Sequence, residues 1–385
     1  MKYRTVLAAL CAVSLFGCEE VLLIPVEEED QPRETPVLLE DVARVLSHVE
    51  LESEQLDEVH DAAQSSATNG YDEEYRMQEL FSDPGCGVGE SDSTKTKSYS
   101  RPLRDLLREA AYATKASAGL EDPDAWLEAL SASDIQIYWP FSEQWNGDAK
   151  PVITFDPGGD AVQNEGYILE SDGTVTKVLV TEEMARERPV WVINRNSDAE
   201  YKTLEMLRRE DPDWGNAGGN LVITKADEDL RTLVLRSIQA SRNFDSWLCG
   251  ASEIWIKIGK VEDFQASTEG ELRLYDPAIT DFMVVVRRGQ KGEPIQLNTV
   301  LVSEWTKQLS SCALMIVEDD GGTQTSWKCS AVVKYKSQSY GFEMDLPFRT
   351  RDDIIWRGSL SRSFVERNNG KPVHLGDVCV VMELI

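Results

Sequence analysis

Histidine is scarce in this chain: His48, His60 and His374 are the only three in 385 residues. No His-Glu-x-x-His, Gly-x-Ser-x-Gly or supported Cys-His arrangement occurs, so the common zinc-protease, serine-hydrolase and thiol-protease designs are excluded. His48 and His60 stand twelve residues apart, about three helical turns, and read as surface or semi-buried side chains rather than a shared metal site. Basic charge is also short: 39 Lys and Arg face 68 Asp and Glu, a formal net charge of -29. Such a surface repels phosphate backbones, so no nucleic-acid partner is expected. No pair of cysteines has Cys-x-x-Cys spacing, which removes zinc-ribbon and dithiol redox motifs. Nor is there an apolar run of the roughly twenty residues needed to cross a bilayer as a helix.

What is present begins at the first residues, MKYRTVLAALCAVSLFGCEE. Lys2 and Arg4 form a basic lead, Val6 to Phe16 is uncharged, and Leu15-Phe16-Gly17-Cys18 closes the segment. A basic start, a short apolar middle and small residues before the cut describe a secretory signal peptide. Leu-x-Gly-Cys further resembles the lipobox of bacterial lipoproteins, with Phe16 bulkier than the usual small residue. That resemblance implies a diacylglycerol thioether on Cys18 and a membrane partner held through lipid. The alternative is a plain secretory peptide with a chance cysteine. Each buried methylene of an acyl chain contributes about 0.8 kcal/mol, and two or three chains anchor durably. Glu19-Glu20 resembles the export signal of some outer-membrane lipoproteins, so the expected location is the outer membrane, periplasmic or surface-exposed. Over its whole length the chain resembles bacterial outer-membrane and surface lipoproteins of unknown function.

Without residues 1–17 the chain carries 37 basic and 68 acidic residues, or -31. Hydrophobic residues make up 41% and charged ones 28%, a globular balance, and the length calls for more than one core. Beyond Cys18 five cysteines remain, an odd number that leaves at least one thiol in an exported chain. Residues 18–36, with four consecutive carboxylates from Glu27 to Asp30, read as an acidic tether.

Residues 37–133 carry helical periodicity. Val37, Leu38, Val42, Val45, Leu46 and Val49 recur at three- and four-residue steps, and Leu51 to Ala63, Pro102 to Ala118 and Pro123 to Leu130 repeat the pattern. Asp122 followed by Pro123 suits a helix start. Residues 134–250 change texture into a small α+β module, with strands expected at 135–139, 152–155, 166–170, 175–180 and 190–194. Residues 251–385 read as nine strands with turns between them, including one at Glu271 to Tyr275, which suggests an antiparallel β-sandwich loosely similar to a C2-type domain. The fold class expected is therefore α+β multidomain: helical segment, α+β module, β-sandwich.

Four constellations merit attention. If Asp319 to Gly322 form a hairpin turn, Cys312 and Cys329 face each other across neighbouring strands, as a contact pair or a strained disulfide. Alternating turns of a meander place Asp319 and Asp320 at the same end as Asp352 and Asp353. Four carboxylates there could hold calcium, which takes six to eight oxygens, although Asp and Gly also simply make good turns. Tyr138, Trp139 and Trp145 could form an exposed platform for a glycan or peptide, or belong to a core. Finally, the Gly-rich DPGGD at 156–160 lacks the following Lys-Ser/Thr of a phosphate loop.

Two functional classes follow. One is a non-enzymatic binding or structural lipoprotein of the envelope, working through an exposed aromatic or sandwich-edge patch without a deep cleft. The other is a carboxylate- or metal-dependent envelope hydrolase. It requires a pocket between the middle module and the sandwich, lined by at least two carboxylates with raised pKa.

Overall fold

The computed structural model describes residues 37–82, 99–115, 120–147, 149–198, 201–215 and 230–385. The signal segment, Cys18, the tether and Cys86 lie outside these residues. The described chain is α+β, with strands mostly antiparallel in three sheets.

The first sheet runs β1 (Glu74–Arg76), β2 (Ile135–Tyr138), β6 (Val190–Arg195), β3 (Val152–Phe155), β4 (Gln163–Leu169), β5 (Val175–Thr181) across its width. Only β3 and β6 are parallel. Helices α1 (Leu39–Leu46), α2 (Ser53–Thr68), α3 (Met77–Leu80), α4 (Leu103–Ala113) and α5 (Pro123–Ser131) cover one face. Alternation in β2 explains the layering: Ile135, Ile137 and Trp139 join Val42, Val45, Leu46, Leu107 and Leu130 in the helix-side core. Tyr138 turns the other way, into a second core with Phe141, Val190, Val192, Trp247 and Leu248. The helical stretch and the strands after it therefore share one interior. Asp122 caps α5, accepting hydrogen bonds from the Asp124 N–H at 3.0 Å and the Ala125 N–H at 3.3 Å, with Pro123 as first helical residue.

The C-terminal part has two sheets. The larger runs β13 (Gln338–Arg349), β12 (Gln324–Tyr335), β11 (Leu309–Glu318), β8 (Ser252–Lys260), β9 (Ala278–Val286), with β14 (Asp353–Ser361) also on β11. The smaller runs β10 (Ile295–Trp305), β7 (Arg231–Ala240), β16 (Val378–Leu384), β15 (Pro372–Leu375). Both feed one core: Ile254, Ile256, Phe282, Leu314 and Ile316 from the larger sheet, Leu233, Leu235, Leu301, Trp305 and Val380 from the smaller. Strand β7, expected with the middle module, thus belongs to the C-terminal architecture. Among the described residues no helix is long and apolar enough to cross a membrane.

Two expectations fail. Glu271–Tyr275 is not a strand: Glu269–Leu274 is a 3₁₀ helix. The Glu271 carboxylate accepts from the Ser267 N–H at 2.7 Å and the Thr268 hydroxyl at 3.0 Å, and local capping of this kind outcompetes a ladder. Cys312 and Cys329 do not face each other. A register shift after Leu309↔Val333 sets Ser311 against Val332, and β14 then takes the edge of β11, so Cys312 lies opposite Leu360. Cys329 lies opposite Met344 on β13. In the loop between β11 and β12, Gly321 and Gly322 have φ of 73° and 99°, a backbone that glycine adopts without strain. All four described cysteines, Cys249, Cys312, Cys329 and Cys379, are free thiols.

The β15–β16 turn has its own requirement. Gly376 has φ 64°, and a Cβ there would lie 2.2 Å from the Ile355 carbonyl oxygen. The next residue, Asp377, accepts a 2.9 Å ion-paired hydrogen bond from Arg242. Left-handed strain costs about 1–2 kcal/mol before the clash. Gly376→Ala should therefore lower stability by about 2 kcal/mol or more, read as a lower urea midpoint at unchanged slope.

Candidate functional site

Where the first sheet meets the larger C-terminal sheet, a cleft of about 650 Å³ opens. The loop after β3 supplies Asp156, Pro157 and Gly158, and β6 supplies Asn194 and Arg195. The segment before β8 brings Asp245 and Cys249, β8 brings Glu253, and the β11–β12 turn brings Asp319 to Gly322. Arg349 and Arg351 complete the wall.

The cleft floor rests on buried acid. Glu318, the last residue of β11, is fully buried, and no donor reaches either of its carboxylate oxygens. Each of Asp245, Glu253 and Glu318 offers one carboxylate oxygen, and the three lie within 4.8 Å of one another. β11 pairs Glu318 with Ile254 at the end of the ladder, next along β8 from Glu253, and the Asp319 N–H donates to the Glu253 carbonyl at 3.1 Å. Asp245 is positioned by Arg288, which is buried and donates to the Asp245 carbonyl at 2.6 Å and the Gly250 carbonyl at 3.0 Å. The guanidinium is thus held by backbone oxygens. Burial, and then the neighbouring carboxylates, push Glu253 and Glu318 well above the usual range, and burial raises Asp245 too.

A second acidic knot lies under the same seam. Asp72, Glu73 and Glu74 are consecutive and buried, as is Asp198. Asp72 accepts from the Glu73 N–H at 2.8 Å and the Ala251 N–H at 2.7 Å, joining the approach to β1 to the approach to β8. The Asn196 amide donates to Glu74, Gln136 and Asp198 at 2.8–2.9 Å. Among the described residues seven carboxylates are buried against three cationic side chains, and of those three only Arg288 stands at the cleft trio. The other two, Lys257 and Lys260, sit over the Trp255 ring and on Glu262 respectively.

The rim residues proposed for calcium are brought together in part. The turns at 319–323 and 349–353 are hydrogen-bonded to each other, Thr350 N–H to Thr323 carbonyl at 3.0 Å and Arg351 N–H to Gly321 carbonyl at 3.2 Å. Their carboxylates serve those turns. Asp319 accepts from the Gly321 N–H at 2.9 Å, Asp352 from the Arg349 N–H at 2.6 Å and the Asp320 N–H at 3.3 Å, and Asp353 pairs with Arg242 at 3.5 Å. The orphaned acid is Glu318, one residue inside the turn. An acidic residue ending an otherwise apolar strand (Ala313 to Val317) was the signal available for it.

The aromatic platform is corrected by the structure. Tyr138 and Trp139 are fully buried, because the sheet that carries them is covered on both faces. Trp139 meets Trp145 at 5.2 Å and Trp191 at 5.7 Å between ring centres, and His60 packs on both Trp139 and Trp145. This is core packing. Cys249, at the cleft wall, has its thiol pushed up to about 12 by burial and by Asp156, whose carboxylate is 3.7 Å away, so it is no thiolate nucleophile.

Comparison with protein-family models, with curated proteins and with solved structures gives no match. The functional reading therefore rests on geometry.

The seam makes stability depend on pH in a definite direction. Asp72, completely buried, ionises at about 6 instead of 3.8, chiefly through desolvation. A carboxyl with a raised folded pKa favours the fold below its unfolded value and loses that contribution as pH climbs through the folded one. The penalty for ionised Asp72 is about 3 kcal/mol at neutral pH. In chelator, the melting temperature should fall as pH rises from about 4 through 6. A flat or rising profile across that window would refute buried ionisable acid at the seam.

Proposed function

We propose that this chain is a lipoprotein of the bacterial envelope, anchored in the outer membrane through lipidated Cys18, and that its body binds a small zwitterionic ligand in the acidic cleft. The cleft is the observation that carries this reading. Its wall mixes Asp156, Asp245, Glu253, Asp319 and Asp320 with Arg195, Arg349 and Arg351, so it offers partners for both an ammonium and a carboxylate group. Amino acids, short peptides and carboxylated amino sugars of envelope polymers have that chemistry. The aromatic trio does not serve, since its leading members are buried. A C-terminal β-sandwich, loosely C2-like, is part of the same proposal, supported by two sheets sharing one core.

The hydrolase reading keeps one specific support. The cleft lies between the two parts of the fold and is lined by Asp245, Glu253 and Asp320, all with raised pKa. Asp320, exposed at the rim, is raised to about 6 by partial desolvation and the nearby Asp245 and Asp353. A carboxyl near 6 can act as general base at neutral pH.

Two measurements test these readings. Cys18→Ser should move the protein from the membrane to the soluble fraction and abolish labelling by a fatty-acid precursor; retention of both would sink the anchor. A thermal-shift panel of amino acids, dipeptides and carboxylated amino sugars should give ligands whose effect is lost in Arg351→Ala. Absence of any shift up to about millimolar probe, the weak end of specific affinity, would reject the cleft as a zwitterion site. Should such a ligand be cleaved, with turnover lost in Asp320→Asn, the hydrolase reading takes its place.

A further inference from the structure

Three carboxylates facing one another beneath a cleft require something positive among them. Like charges this close repel strongly wherever water is excluded. Asp245, Glu253 and Glu318 bring three such groups within 4.8 Å. The nearest guanidinium, Arg288, is engaged by the carbonyls of Asp245 and Gly250. The Lys260 ammonium is committed to Glu262 at 2.6 Å and the Leu301 carbonyl at 3.0 Å. Glu318, fully buried with both oxygens lacking a donor, points into this group from below.

We propose that Asp245, Glu253 and Glu318 hold a hard divalent cation of the calcium class at the floor of the cleft. All three donors are carboxylate oxygens, the ligand type that Ca²⁺, Mg²⁺ and Mn²⁺ prefer over softer metals. Oxygens bound at 2.3–2.6 Å on a calcium ion stand up to about 5 Å apart, and the three carboxylate oxygens, all within 4.8 Å of one another, are close enough to share one ion. No histidine is in the group and the nearby Cys249 thiol is held protonated, so a zinc-type donor set is not on offer. Three protein ligands leave positions for water or for a carboxylate or hydroxyl entering from the cleft, where Asp245 and Glu253 line the wall.

The site differs from the rim arrangement of Asp319, Asp320, Asp352 and Asp353. Three of those four spend a carboxylate oxygen on turn N–H groups or an arginine, whereas Glu318 spends neither of its own. The competing explanation for the trio is a shared proton, with Glu318 protonated and bonded to Asp245. A cation and a proton compete for the same oxygens, so the two explanations separate by titration. The inference concerns the trio alone and holds whether or not a zwitterion enters above it.

The experiment uses the full chain in detergent, stripped with chelator and titrated calorimetrically with CaCl₂, MgCl₂ and MnCl₂ at pH 7.5 and 5.5. Expected are one equivalent bound at pH 7.5, a melting temperature raised by several degrees, and weaker binding at pH 5.5. Glu318→Gln should fold at least as well as the stripped wild type, since it replaces a buried ionisable acid by a neutral amide of the same shape, yet bind more than about tenfold more weakly. Asp352→Asn and Asp353→Asn should keep the response. If no divalent cation in the millimolar range binds or shifts melting, the trio shares a proton and the proposal falls. If the response persists in Glu318→Gln but disappears in the rim variants, the cation sits at the rim and the proposal falls equally.

Discussion

Burying carboxylates is among the most expensive things a fold can do, and this one does it repeatedly along a single seam, with Arg76 at 3.5 Å from Glu74 as one of few counter-charges. Glu318, Glu253, Asp72, Glu73, Glu74 and Asp198 are all inside, at or behind the junction of the first sheet and the larger C-terminal sheet. A carboxylate left alone in low dielectric takes up a proton or recruits a cation. Much of the seam is made tolerable by backbone N–H groups and amides. Asp72 has two N–H donors, and Asn196 serves Glu74, Gln136 and Asp198 together. Glu318 has both oxygens buried and without a donor.

The surrounding architecture accounts for why the acids stay there. Ile254 and Ile256 from β8 and Leu314 and Ile316 from β11 lock those strands into the C-terminal core, and their ladder ends where the Glu253 and Glu318 carboxylates lie within 4.8 Å of each other. On the other side, Ile137 and Trp139 lock β2 between helices and sheet, which holds β1 and its acidic approach in place through Glu74↔Tyr138. Removing large buried apolar side chains costs about 3–5 kcal/mol each. Hydrophobic packing of two cores therefore holds the polar seam in position.

Most of the strand and helix content was legible from periodicity. Apart from Glu271–Tyr275, the strands expected from Ile254 to Leu384 appear, as do the helices around Val42, Leu56, Leu107 and Leu127, because apolar spacing and capping act locally. What periodicity could not convey was pairing. That β7 leaves the middle module for the smaller C-terminal sheet, and that β14 displaces β12 from most of β11, depend on contacts between residues far apart in sequence. The error over Cys312 and Cys329 came from assuming one uninterrupted hairpin. The rim aspartates were visible because acidic turns announce themselves. Glu318 was not, since a lone Glu closing an apolar strand looks like the first solvent-facing residue after a core, and its burial is decided by β8 and the 245–251 segment.

The same seam separates the functional classes more sharply than any motif. A binding surface built of exposed aromatics would have left the carboxylates at the periphery, where water screens them. Here the aromatic cluster of Trp139, Trp145 and Trp191 stabilises the interior of the first part, and acids line the 650 Å³ cleft. Selection for stability alone does not explain that exchange, because an apolar junction of the same volume would fold at lower cost. An acidic floor under a cleft with three arginines on its wall is the arrangement expected when charge recognition is the purpose. The polarity of the seam is thus the feature of this molecule on which the proposed charge recognition rests.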